Sequence, residues 1–167
     1  MASTLWIITM IESDIDHYKQ KDRNSWMFHR FNTITDLNKH FYQAYRVGGI
    51  YLSVIKDDIW GAKEIYEKGL KFFPDDIQLN YNFGFHAHTE LKDYPLAIKL
   101  YEKVLADPKS LVRYQYSLPS IIAKLKVGNG DPKDAIRWLY EMKEKFKDNK
   151  ILQERFNEKI RIIKNKQ

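Results

Sequence analysis

The chain has 167 residues, 44% of them hydrophobic and 30% charged, with a formal net charge of +6. That is one ordinary domain with enough apolar residues to bury a real core. It contains no cysteine, so disulfides, thiolate metal sites and thiol catalysis are excluded. The positive charge is a moderate bias and not by itself the mark of a nucleic-acid binder.

Apolar residues recur at helical spacing along the whole chain, and β-branched runs alternating with period two are absent, so the sequence reads as all-α. Helices are expected at about 3–20, 24–37, 41–56, 59–72, 76–91, 94–106, 111–127, 132–147 and 150–165, in antiparallel pairs joined by short loops. The first carries Leu5-Trp6-Ile7-Ile8-Thr9-Met10-Ile11. This run is shorter than the roughly 20 residues a bilayer span needs. It also lacks the basic start and small-residue cleavage site of a signal peptide. An amphipathic helix is expected there, and the abrupt start leaves room for an upstream segment such as a membrane anchor.

Further on, Pro74 ends a helical pattern and Asp75-Asp76 offers caps for the next helix. Asp107-Pro108 closes the helix after Leu105. Gly128-Asn129-Gly130 is the clearest turn, followed by Asp131 as cap and Pro132 at the first helical position. From Lys143 onward nine Lys and Arg residues (the last Lys166) face four acids. Such a helix is either a solvated face or a patch for anionic lipid, nucleic acid or an acidic partner.

Two stretches of the chain are copies set thirty-five residues apart. Gly49, Asp58, Ala62, Tyr66-Glu67-Lys68 and Leu70 recur as Gly84, Asp93, Ala97, Tyr101-Glu102-Lys103 and Leu105. A glycine inside a helix costs about 1 kcal/mol against alanine. That cost is understandable where a partner helix lies too close for a β-carbon. Ala62 and Ala97 are expected to face these glycines, and Tyr66 and Tyr101 to wedge into the following unit.

A small-residue helix, a short acidic turn, Ala-x3-aromatic and a closing proline together resemble the tetratricopeptide repeat. One unit reads Tyr45, Gly48, Gly49, Leu52, Ala62, Tyr66 and Pro74; the other reads Asn80, Phe83, Gly84, Ala87, Ala97, Tyr101 and Pro108. Asn80 stands where an aromatic is usual, both units carry one extra residue before the alanine, and the second closes one residue early. A weaker unit uses Ala123, Asp131, Ala135 and Leu139, and a divergent one Met27, Phe31, Ile34 and Asp36-Leu37-Asn38-Lys39. The expected organisation is a single domain: a divergent helical pair at 1–40, two clear repeats at 41–108, a weaker repeat at 109–147 and a capping helix at 148–167.

The resemblance implies a right-handed α-solenoid of about three to four helix-turn-helix units with a polar-faced C-terminal cap. It implies a non-catalytic adaptor or scaffold for protein–protein interaction. The style of the repeats resembles bacterial proteins of envelope, pilus or cell-polarity assemblies, hence a cytoplasmic or envelope-associated location. It also implies that the first helix of each pair faces a concave groove. The groove residues are then Gln78, Tyr81, Phe85 and His88 with Asn82 beside them; Gln43, Arg46, Ile50 and Ser53; and Ser117, Ser120 and Lys124. Arg46, Tyr81, Phe85 and His88 are the expected principal contacts to a partner peptide or short helix. Ile50 occupies one Asn position of the family's carboxylate clamp, and the third unit lacks a basic pair, which argues against that mode.

No phosphate-cradling loop or activated nucleophile is evident, so no catalytic residue and no cofactor is expected. His86 and Glu90 share a helix face while His88 points elsewhere, too few ligands for a metal site. The alternative function is binding of nucleic acid or an anionic membrane surface through the basic C-terminal helix, with a steep salt dependence. Trp6, Trp26 and Trp60 are candidates for self-association, core packing being the simpler role.

Overall fold

The computed structural model describes residues 1–13, 25–110 and 112–165, which form nine α-helices and no strand. They are α1 (Ala2–Ile11), α2 (Trp26–Leu37), α3 (Tyr42–Ile50), α4 (Ile59–Phe72), α5 (Ile77–His86), α6 (Tyr94–Ala106), α7 (Val112–Gly128), α8 (Pro132–Lys145) and α9 (Lys150–Lys164). The helix expected at 3–20 stops at Ile11, and the Ser13 hydroxyl donates to the Met10 carbonyl of its last turn at 2.8 Å. Positions 14–20, together with the expected helix starts at 24 and 111 and the last basic residue, Lys166, lie outside the described residues.

Side-chain caps fix most helix starts. Ser25, Asp58, Asp76, Asp93, Asp131 and Asn149 each accept the backbone N–H three residues on. Each satisfies a donor that the helix itself leaves orphaned.

Helices α3 and α5 do not end as α-helices. Each runs on into a π-helical turn, Tyr51–Ile55 after α3 and Ala87–Leu91 after α5. A π turn holds one residue more than an α turn, and both lie in the stretch where the repeats carry their extra residue. The chain then passes through a left-handed residue, Asp57 (φ 56°) or Lys92 (φ 54°), directly before the capping Asp58 or Asp93. Non-glycine residues rarely adopt this conformation. The thirty-five-residue echo is therefore present in backbone geometry as well as in sequence.

Contacts group the helices into two compact units, residues 1–92 and 93–167. The boundary falls inside the second copy of the repeat. In the first unit each helix packs on its successor, and α2 on α4 and α3 on α5 as well. The tightest approach is between α3 and α4, and it is reciprocal. The Tyr66 ring of α4 lies against Gly49, where an added β-carbon would fall inside van der Waals contact with the ring. Four residues before Gly49 on α3, Tyr45 covers Gly69 of α4, where a β-carbon would sit 2.9 Å from Tyr45 Cβ and 3.0 Å from Leu79 Cδ2. Both tyrosines are buried. The Tyr45 hydroxyl donates to the Lys39 carbonyl at 3.1 Å, and Tyr66 stacks on Phe83 of α5 with centroids 5.4 Å apart.

A second tie joins α2 to α4. The buried Asp58 carboxylate caps α4 through Gly61 N–H at 2.9 Å. Its other oxygen accepts the Ser25 hydroxyl at 2.5 Å and the Ser25 N–H at 3.1 Å. Ser25 in turn accepts the Phe28 N–H of α2 at 3.1 Å. One carboxylate thus serves two helix N-termini, where its charge is also favoured by both helix dipoles.

In the second unit α6, α7, α8 and α9 pack in succession, with α9 also reaching α7. Its core gathers Ala123, Ala135, Leu139, Met142, Leu152, Phe156, Ile160 and Ile163. Lys126 of α7 joins three helices, lying 2.6 Å from Asp134 of α8, 3.5 Å from Glu102 of α6 and 5.6 Å from the Trp138 ring centroid. Burial opposes the Lys126 charge, but the two carboxylates outweigh it and hold its pKa above the ordinary lysine range. The Trp138 indole N–H donates to the Pro119 carbonyl inside α7 at 3.1 Å.

Replacing Asp58 removes one cap and strands the Ser25 hydroxyl and amide in a buried site. Asp58→Ala is expected to cost about 3 kcal/mol, read as a lowered urea midpoint at unchanged m-value. A loss within about 0.5 kcal/mol would show that water replaces the carboxylate without penalty.

Candidate functional site

Five of the residues expected on the groove face meet at one hollow in the first unit. Ile50, Ser53, Tyr81, Asn82 and Phe85 line it together with Val54, Tyr66 and His86, enclosing about 270 Å³ between the end of α3 and α5. The floor consists of the buried Tyr66, His86 and Ser53. The rim is apolar and open, with Phe85 47%, Val54 57% and Ile50 37% exposed.

The floor is held by hydrogen bonds whose donors can be assigned. His86 Nε2 lies 2.9 Å from the Ile59 carbonyl, which can only accept, so Nε2 carries a proton. The neutral ring then accepts at Nδ1 from the Ser53 hydroxyl, 2.8 Å away. Burial pushes the His86 pKa below the ordinary imidazole value, against weaker opposing contributions from the Ile59 carbonyl and Glu90. Burial likewise holds the Tyr66 phenol above its ordinary range, with Arg46 opposing.

Hydroxyl-to-imidazole contact is also how a nucleophile is activated, but a general base must hold the proton it takes. Here the far ring nitrogen faces a neutral carbonyl and desolvation disfavours imidazolium. The pair is a structural tie between the π turn of α3 and α5. With both ring nitrogens engaged, His86 is also no metal ligand. Among the described residues no group of His, Asp and Glu is placed to hold an ion.

Asn82 supplies the polar feature of the wall. Its Oδ1 accepts from Gln78 Nε2 at 2.8 Å, while its Nδ2 is buried with no hydrogen-bond partner. A stranded donor of this kind costs about 1–3 kcal/mol until an acceptor reaches it.

The other expected residues lie apart from this hollow. Gln43 is exposed near the start of α3, Arg46 is half-buried near Tyr66, and His88 lies half-buried within the π turn after α5. Ser53 is buried and turned inward, and Val54 takes the outward position instead. The physical reason is the π turn: its extra residue makes the outward stripe lag by one position. Val54, Tyr66 and His86 are the lining residues that helical periodicity alone does not indicate.

Lys124 belongs to the second unit, where it borders a different hollow of about 360 Å³ with Ala123, Val127, Pro132, Lys159, Ile162 and Ile163. Ser117 donates to the Arg113 carbonyl at 2.8 Å, and the Ser120 hydroxyl is buried without a partner. Trp6 packs against Phe31 and Phe41, with centroids 5.8 and 5.7 Å away. Trp26 and Trp60 are 41% and 43% exposed, each beneath a cation, Arg30 or Lys63. No helix among the described residues is long and apolar enough to cross a membrane.

The depressed His86 pKa has a definite consequence for stability. Above the ordinary imidazole pKa of about 6.5 the ring is neutral folded and unfolded, and its contribution is fully present. As pH falls below that value the unfolded chain binds a proton that the folded one refuses, so stability declines. Urea midpoints measured between about pH 5 and 8 should therefore fall on the acid side more steeply for the wild type than for His86→Gln. Parallel curves would show that the ring titrates normally.

Compared with known proteins, the chain matches no family model and no curated protein.

Proposed function

We propose that this protein is a non-catalytic interaction module, an adaptor or scaffold that holds a segment of a partner protein against the α3/α5 face of its first unit. The observation that carries this reading is the apolar hollow with an open rim of Ile50, Val54 and Phe85, Tyr81 on its wall and an unpartnered amide at Asn82. Clustered exposed apolar residues mark binding surfaces on soluble proteins more often than scattered ones do. Aromatic residues at a concave site are typical energetic anchors. The Asn82 amide offers a donor to a backbone carbonyl, so an incoming peptide would recover the cost of leaving it unpaired.

The architecture proposed for this role is a tetratricopeptide-like right-handed α-solenoid of three to four units closed by α9. Its support is the repeat itself, the packing of helices on both next and next-but-one neighbours within each unit, and the π turns that absorb the extra residue of each repeat. Such arrays bury their helices against adjacent repeats and leave one helix of each pair facing the ligand.

The test is Tyr81→Ala/Phe85→Ala, both residues lying on the wall or open rim, where truncation spares the core. Affinity purification with wild-type and double-variant bait should show at least one partner lost by the variant, with about a hundredfold weaker binding when that partner is titrated. Retention of every co-purifying protein by a folded double variant would refute the reading.

A further inference from the structure

We propose that the hollow between α7 and α9 in the second unit is a docking site for an acidic peptide segment, which inserts one bulky aliphatic side chain and sets carboxylates against Lys124 and Lys159. This deepens the segment-binding reading and rests on it, though the site is separate from the α3/α5 hollow. Two helix stripes line the site. Ala123, Lys124 and Val127 lie along α7, and Lys159, Ile162 and Ile163 lie along α9, with Pro132 at one margin. Each stripe pairs aliphatic surface with one lysine at helical spacing, so both sides of the hollow combine the same two chemistries.

The aliphatic part is accessible. Val127 and Ile162 are 37% and 40% exposed. The cations are uncommitted. Neither Lys124 nor Lys159 makes an ion pair or hydrogen bond among the described residues, whereas nearby Lys126, Lys143, Lys145 and Lys164 are all engaged. Five basic residues against two acids on α9 extend the positive field over the site.

The chemistry of the walls selects among anionic partners. Alanine, valine, proline and isoleucine offer no ring on which a nucleic-acid base could stack. A membrane surface would engage a convex, continuous basic face better than a concavity of about 360 Å³. A single leucine or isoleucine flanked by glutamate or aspartate matches both the hollow and its two lysines.

The experiment uses the full chain, ¹⁵N-labelled, and a synthetic peptide in which a single leucine is flanked on each side by glutamates. Amide shifts should move along the α7 and α9 stripes. Binding should weaken about tenfold or more in Lys124→Glu/Lys159→Glu, and comparably in Ile162→Ser, all at exposed or half-exposed positions where circular dichroism can verify folding. The glutamine version of the peptide should bind correspondingly weaker. The inference is overturned if the peptide does not bind, if the glutamine version binds equally, or if the lysine variant is unaffected. It is equally overturned if polyuridine or phosphatidylserine vesicles perturb the same stripes with higher affinity. A failure here while Tyr81→Ala/Phe85→Ala still loses its partner would remove this site and leave the α3/α5 reading intact; the opposite pair of results would remove the latter.

Discussion

Tyr66 lies on Gly49 while Tyr45 lies on Gly69, so α3 and α4 exchange a ring for a missing side chain at two points. Each tyrosine occupies the space that a β-carbon on the other helix would need, which fixes both the separation of the helices and their register. A glycine inside a helix is unfavourable by about 1 kcal/mol on its own. Two of them are sustained because buried aromatic rings gain far more area and dispersion contact when the backbones come this close. Gly48, one residue before Gly49, receives Phe31 of α2 in the same manner, so α3 is gripped from both sides.

The candidate site depends on that grip. Tyr66 is both the ring against Gly49 and part of the floor of the α3/α5 hollow, and it also stacks on Phe83 and approaches His86 at 5.8 Å. Ser53 and His86 then join the π turn of α3 to α5, and the Ile59 carbonyl at the start of α4 holds the ring in one tautomer. Three helices are thereby fixed around a small concavity with an open apolar rim. A rigid floor beneath exposed anchors suits recognition, since little ordering cost remains to be met on binding.

Much of the fold was legible in the sequence because its helix ends carry explicit chemistry. Asp76, Asp131 and the Gly128-Asn129-Gly130 turn act where their residue types predict. The importance of Gly49 and Tyr66 was also visible, since both recur thirty-five residues on, but the partner of the glycine was not. Ala62 was the expected neighbour, whereas the ring of Tyr66 fills the contact. The reciprocal Tyr45–Gly69 contact left no mark in the repeat, because the second copy has Asn80 and Val104 at those positions. A repeat reveals what its copies share and hides what only one of them uses. The π turns account for the remaining gap. Counting residues shows that one is extra, but only the backbone shows that it widens the last turn and turns Ser53 inward and Val54 out.

The most direct test of this account is a double-mutant cycle between Gly49→Ala and Tyr66→Ala, with unfolding free energies taken from urea titrations. Against the native Tyr66 ring, the added methyl should destabilise by about 1–3 kcal/mol through overpacking. With the ring removed, the same methyl should be neutral or stabilising by up to about 1 kcal/mol, as alanine is in an unobstructed helix. That change of sign is the prediction. An equal penalty for Gly49→Ala in both backgrounds would contradict the claim that the tyrosine ring is what the glycine accommodates.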